Sequence, residues 1–282
     1  MKKADGSPTL LVLPFRSFGP ASCAELCRGL YDNPTLTELL CSGHAIGREG
    51  AAAVGLLRAS SSCTIRRLAV GHAEFGEEGV LALVAGFTPA PAGRKATGVE
   101  FLDLELKGLA GERGGRALAE LVAVCPALAE LRVARNALGP LGAAALVAGM
   151  RGRADSLAVL DLSATELGGA AVEAALAGGG AASRLHTLCL SGNPQLGDEG
   201  AASIGRLVLL GWLPALRRLC AYVRTCVCVC AAAVAVAVCA VPSVPCLQSV
   251  RAHECCACVG SVRVRACVCV DSVAAAVEIG IS

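Results

Sequence analysis

Residues 128–146 read Leu128-Ala-Glu-Leu131-Arg-Val133-Ala-Arg-Asn136-Ala-Leu138-Gly139-Pro-Leu-Gly142-Ala-Ala-Ala-Leu146. Two chain periodicities meet in this stretch. Leu131 and Val133 alternate with polar neighbours, the two-residue period of a half-buried strand. The run Ala143-Ala-Ala-Leu-Val147 carries small apolar residues suited to a closely packed helix. Between them, Gly139-x-x-Gly142 supplies the conformational freedom for a tight turn from strand to helix. One strand, one turn and one helix therefore fit within about 29 residues.

The same frame recurs along the chain. It starts at Leu36 (Leu39, Cys41, Ile46-Gly47, Gly50), at Ile65 (Leu68, Val70, Phe75-Gly76, Gly79) and at Val99 (Leu102, Leu104, Leu109). It starts again at Leu157 (Leu160, Leu162, Leu167-Gly168) and at Leu185 (Leu188, Leu190, Asn193, Leu196-Gly197, Gly200). A degraded copy opens at Pro8 and an incomplete one at Leu216. Successive starts lie 28 to 34 residues apart, and the longest gap coincides with a Pro/Gly-rich insert beginning at Thr88-Pro-Ala-Pro. A unit of this size cannot bury its own apolar face, so stacked units must share one core.

The frame resembles the leucine-rich repeat family, and the phrase Leu196-Gly-Asp-Glu-Gly-Ala-Ala202 resembles its ribonuclease-inhibitor-like subtype, found in NOD-like receptors and Ran GTPase-activating protein. The resemblance covers residues 8–219, about seven repeats and a truncated one. It implies an α/β solenoid, a horseshoe with a concave parallel sheet and convex helices. It also implies that the asparagine after the strand bonds to neighbouring backbone. Asn136 and Asn193 hold that place, whereas His44, Ala73, Lys107 and Thr165 hold it elsewhere. A looser ladder is expected at those positions. The second turn glycine is expected to be replaced by Arg113 and by Ala171 in two repeats. Without polar caps at either end, the array reads as part of a longer one.

Residues 220–282 form a second region of different composition. Eleven of the 17 cysteines lie there, in a low-complexity Cys/Val/Ala tail. Cys226-Val-Cys-Val-Cys230 and Val262-Arg-Val-Arg-Ala-Cys-Val-Cys-Val270 match what an alternating T/G dinucleotide repeat encodes, so the tail reads as translated non-coding sequence with an irregular course. Its Val/Cys alternation also suits aggregation-prone strands. The Cys-x-Cys spacings, with His253, Cys255, Cys256 and Cys258, do not match paired zinc-binding motifs, and no metal is expected. The apolar run 226–241 has sixteen residues, short of the roughly 18–20 that a membrane helix needs, so no membrane partner is expected.

Composition excludes further classes. Lys+Arg 25 against Asp+Glu 23 leaves a net charge of +2, too small for a nucleic-acid footprint. Eight aromatic residues provide no stacking platform for bases or sugars. There is no phosphate-binding glycine loop and no His-Glu-x-x-His, so no enzyme activity, small-molecule substrate or cofactor is expected. Sparse cysteines in residues 1–219 and the lack of a signal peptide point to the cytoplasm.

What remains is surface. Residues alternating with the core leucines face the concave side. They include Glu38, Arg67, Asp103, Glu105, Glu130, Arg132 and Asp161, with Arg135 at the rim. These residues form the expected contact surface for an unidentified protein partner. The rival expectations are a regulator of a small GTPase, as the resemblance to Ran GTPase-activating protein implies, and a membrane-anchored repeat receptor. The acidic tail that accompanies the GTPase resemblance is missing.

Overall fold

The structure is a computed structural model that describes residues 10–12, 18–57, 60, 62–88, 98–150, 156–176, 184–222, 225–230, 236–240, 266–270 and 273–277. The degraded frame at Pro8 falls mostly outside these residues. So do the insert 89–97, residues 177–183 and the His253–Cys258 cluster.

Strand and helix alternate seven times before an eighth strand: β1 (Leu10–Val12), α1 (Pro20–Leu30), β2 (Glu38–Ser42), α2 (Gly47–Leu56), β3 (Arg67–Gly71), α3 (Gly76–Phe87), β4 (Phe101–Asp103), α4 (Gly111–Ala123), β5 (Glu130–Arg132), α5 (Gly139–Met150), β6 (Val159–Asp161), α6 (Gly169–Leu176), β7 (Thr187–Cys189), α7 (Gly197–Leu209) and β8 (Arg218–Tyr222). Each strand pairs in parallel with the next, in chain order. The register aligns the repeats residue for residue: Leu39, Leu68, Leu102, Leu131, Leu160, Leu188 and Leu219 form one row. All seven are buried, and they run into one continuous core with the inner faces of the helices. This is the α/β solenoid that the recurring frame predicts.

The described parts of the tail are strands. β9 (Thr225–Cys230) and β10 (Val236–Ala240) add antiparallel to β8, and β11 (Ala266–Val270) pairs with β12 (Val273–Val277) as a separate hairpin. β-branched valine at alternate positions favours this conformation. The apolar run 226–241 is therefore divided between β9, β10 and residues outside the described set. Among the described residues no helix is long and apolar enough to cross a membrane.

The turns correct the sequence reading in two repeats. The first turn glycine takes a left-handed φ at Gly139 (+59°), and Gly111 (+52°) does the same at the start of α4. The Gly142 N–H bonds to Leu138 O, and the Gly114 N–H bonds to Ala110 O. The pair in that repeat is therefore Gly111 and Gly114, one residue later than the leucine frame suggests, and Arg113 replaces nothing. An extra residue after Leu109 causes the shift. In the next-but-one repeat, Val172 bonds to Gly168 O and is buried. Val172 rather than Ala171 takes the second glycine's place.

Asparagine ties the turns together as the resemblance implies. Asn136 Oδ1 accepts the Lys107 and Leu109 N–H groups at 2.9 and 3.1 Å. Its Nδ2 donates to Leu104 O and Val133 O at 2.9 and 2.8 Å. Asn193 repeats the pattern on Thr165, Leu167, Leu162 and Leu190. The substituted positions are not simply loose. The Thr165 hydroxyl donates to Leu162 O at 2.5 Å. His44 is buried and stacks on Phe18 with ring centroids 4.0 Å apart. Lys107 sends its ammonium back to Ser42 Oγ at 2.7 Å and to Glu105 O at 2.8 Å.

Candidate functional site

Strand alternation leaves two outward rows on either side of the buried leucines. The first row runs Glu38, Arg67, Phe101, Glu130, Val159, Thr187, Arg218. The second runs Leu40, Ala69, Asp103, Arg132, Asp161, Cys189, Cys220. The backbone ladder continues beyond the short strands, through Leu104 N–H to Arg132 O at 2.8 Å and Leu106 N–H to Ala134 O at 2.9 Å. Glu105 and Arg135 therefore lie beside the same surface, bonded to each other across repeats at 3.3 Å. All eight residues expected on the concave side sit along these neighbouring strands and turns.

Beneath the alternating charges lies a buried aromatic residue, Phe101. Phe101 lies between Arg67 and Glu130 in the first row. The Arg67 guanidinium sits 3.9 Å above its ring centroid, and that of Arg132 lies at 5.1 Å. Both cations thus meet the negative face of one ring. Each also meets a carboxylate: Arg67 Nε lies 3.6 Å from Glu38, and Arg132 Nη2 lies 2.6 Å from Glu130. The result is a chain of Glu38, Arg67, Phe101, Arg132 and Glu130 across four strands. Phe101 was legible only as the residue preceding the core Leu102, where a phenylalanine reads as core.

The two aspartates of the second row are partly engaged by their own loops. Asp103 accepts the Glu105 N–H and Asp161 accepts the Ser163 N–H, each at 2.9 Å. Such bonds fix the chain two residues on, as Asx turns do.

Below the surface lies a buried cation. Burial pushes the Lys107 ammonium below the ordinary lysine range, while Asp103, Glu105 and Cys41 act the other way. Burial pushes the neighbouring Cys41 thiol up to about 12, and Cys23 adds to the shift. Neither group has the exposed, electropositive setting that an activated nucleophile needs. Among the described residues no group of three metal-ligating side chains comes together.

A family model described as Leucine Rich repeat matches residues 184–205, which hold β7, Asn193 and the first turns of α7. The register just described repeats that unit along the parallel sheet. The match and the repeated register together fit a leucine-rich-repeat solenoid. No curated protein matches the chain. Leucine-rich repeats commonly build protein-interaction modules, and Glu38, Arg67, Phe101, Arg132 and Glu130 bring both signs of charge and one ring together across this sheet.

Proposed function

We propose that this leucine-rich repeat protein, read as one of the ribonuclease-inhibitor-like subtype, is a non-catalytic interaction module. It binds a protein partner through Glu38, Arg67, Asp103, Glu105, Glu130, Arg132, Arg135 and Asp161, with the buried Phe101 ring supporting the two central arginines from below. The observation that carries this reading is the placement of Phe101 under Arg67 and Arg132. Arginine and aromatic side chains are enriched among residues that dominate binding energy, and here the ring holds two long cations in place before any partner arrives. The flanking carboxylates give the surface both signs of charge, which selects a partner by complementarity rather than by bulk attraction. All seven cysteines whose state is described are free thiols, which supports a cytoplasmic setting.

The test compares proteins captured by the full chain with those captured by three folded variants. Phe101→Ala and the paired reversal Glu130→Arg with Arg132→Glu are expected to lose the specific partner at least tenfold. Leu141→Ser, at an exposed position on α5, is expected to retain it. Equal capture by all three variants would place binding elsewhere.

A further inference from the structure

Two cysteines sit side by side at the C-terminal end of the second concave row. Cys189 ends β7, Cys220 lies within β8, and the parallel register pairs them directly. Asp161 is the next residue in that row. Adjacent strands stand about 4.7–4.9 Å apart. That spacing falls within the roughly 4.4–6.8 Å between Cα atoms that a disulfide spans. The two thiols are already hydrogen-bonded to each other, and both side chains are only half-buried. Cys23, Cys27 and Cys41, the other thiol cluster, are sealed in the core.

We infer that Cys189 and Cys220 form a dithiol modification site, which takes a small disulfide such as oxidised glutathione and closes to an intramolecular disulfide.

The chemistry divides the roles. The hydrogen bond from Cys189 lowers the Cys220 thiol to about 7, and the nearby Arg218 adds to this against the opposing effects of burial and Asp161. The same hydrogen bond, together with burial, pushes Cys189 up. Cys220 is therefore the thiolate that attacks first. It displaces one sulfur of the small disulfide, forming a Cys220–glutathione bond and releasing one glutathione thiolate, which takes a proton from water. Cys189 then gives its proton to solvent and attacks the Cys220 sulfur, expelling the second glutathione. The protein pair loses two electrons, and the small disulfide gains them as two thiols. Directly opposed Cβ atoms at about the strand spacing lie beyond the roughly 3.5–4.5 Å that a relaxed disulfide prefers. The closed form is therefore easily reduced, as strained disulfides are.

The register also sets Cys228 of β9 opposite Cys220, and this defines the competing outcome. The full chain is treated with oxidised glutathione, quenched with acid, alkylated and cut with trypsin. Cleavage after Arg184, Arg206, Arg218 and Arg224 puts Cys189 alone in peptide 185–206 and Cys220 alone in peptide 219–224. The expected product is these two peptides joined. In Cys189→Ser, peptide 219–224 keeps its glutathione; in Cys220→Ser, Cys189 takes up at least tenfold less glutathione than Cys220 does in Cys189→Ser. Alkylation of Cys220 in the untreated chain has its midpoint near pH 7, and Cys189→Ser moves it upward. An unmodified Cys220, or one joined to peptide 225–251, overturns the inference. The mapping of the unsubstituted chain decides this even where a variant fails to fold.

Discussion

The Lys107 ammonium, on the turn after β4, donates to the Ser42 hydroxyl on β2 at 2.7 Å, so it spans the intervening repeat. That intervening repeat has Ala73 where an asparagine amide is expected, and Gly71 in register with Ser42. Small residues there leave room for a long side chain from the next repeat. The bridge predicts an unusual order of costs. Ser42→Ala strands a buried cation with only Glu105 O as acceptor and destabilises the fold by about 1.5–3 kcal/mol. Lys107→Met removes the charge along with its burial cost and destabilises it less. Urea unfolding of the two variants and their double substitution checks this. A larger loss for Lys107→Met would show that the ammonium is a net stabiliser.

Phe101 predicts a coupling between its two cations. Phe101→Leu keeps an apolar side chain but removes the ring face, and it is expected to cost about 0.5–2 kcal/mol for each guanidinium that loses its cation–π contact. In a double-mutant cycle with Arg67→Met, the coupling should exceed about 0.5 kcal/mol. The cycle with Arg132→Met should give a smaller value, because Arg132 stands farther from the centroid. Equal and negligible couplings would show that the guanidiniums are held by Glu38 and Glu130 alone.

The residues that were readable in the sequence are those whose role is set by local periodicity. Leu39 and Leu68, like Leu131 and Leu160, lie 29 residues apart, which makes them equivalent in the frame; the parallel pairing itself was what the resemblance implied. The role of Asn136 was readable only through the family resemblance, because its bonds to Lys107, Leu109 and Leu104 reach into the preceding repeat. Gly111 and Gly114 were misplaced because Leu109 satisfies the leucine frame with or without the extra residue that follows it. Lys107 was misjudged for a different reason. Its position admits only a donor, and the acceptor that uses it is Ser42, two repeats away. Phe101 and the Cys189–Cys220 pair depend on which residue of the next strand stands opposite, and that is tertiary information.

Close helix packing makes a steric prediction. A Cβ at Gly115 on α4 would overlap the Gly142 carbonyl on α5. Backbone cannot swing aside as a side chain does, so Gly115→Ala must push the two helices apart. The expected cost is about 1–3 kcal/mol, the usual range for overpacking. Gly205→Ala on α7 meets nothing within 4 Å and is expected to be neutral or slightly stabilising, since alanine favours a helix. Thermal unfolding of the two variants separates the steric effect from helix propensity. Equal melting temperatures would refute the close approach of α4 and α5.

The buried thiol at Cys41 predicts how stability changes in alkali. Its folded value, about 12, lies above the ordinary thiol value of 9.0 that the unfolded chain restores. Below pH 9 both states hold the proton, and the contribution of Cys41 to stability is fully present. Between pH 9 and about 12 the unfolded chain releases the proton while the folded one keeps it. The unfolded state then binds fewer protons, so stability falls as pH rises through that window. Lys107 works in the opposite sense, because its folded value is lowered and its burial cost is relieved on deprotonation. Replacing Cys41 by alanine is therefore expected to lower stability at pH 7 through the lost packing, yet to flatten the decline above pH 9. Urea unfolding midpoints measured from pH 7 to pH 10.5 for both proteins test this, and parallel curves would show that Cys41 ionises as readily in the fold as in the unfolded chain.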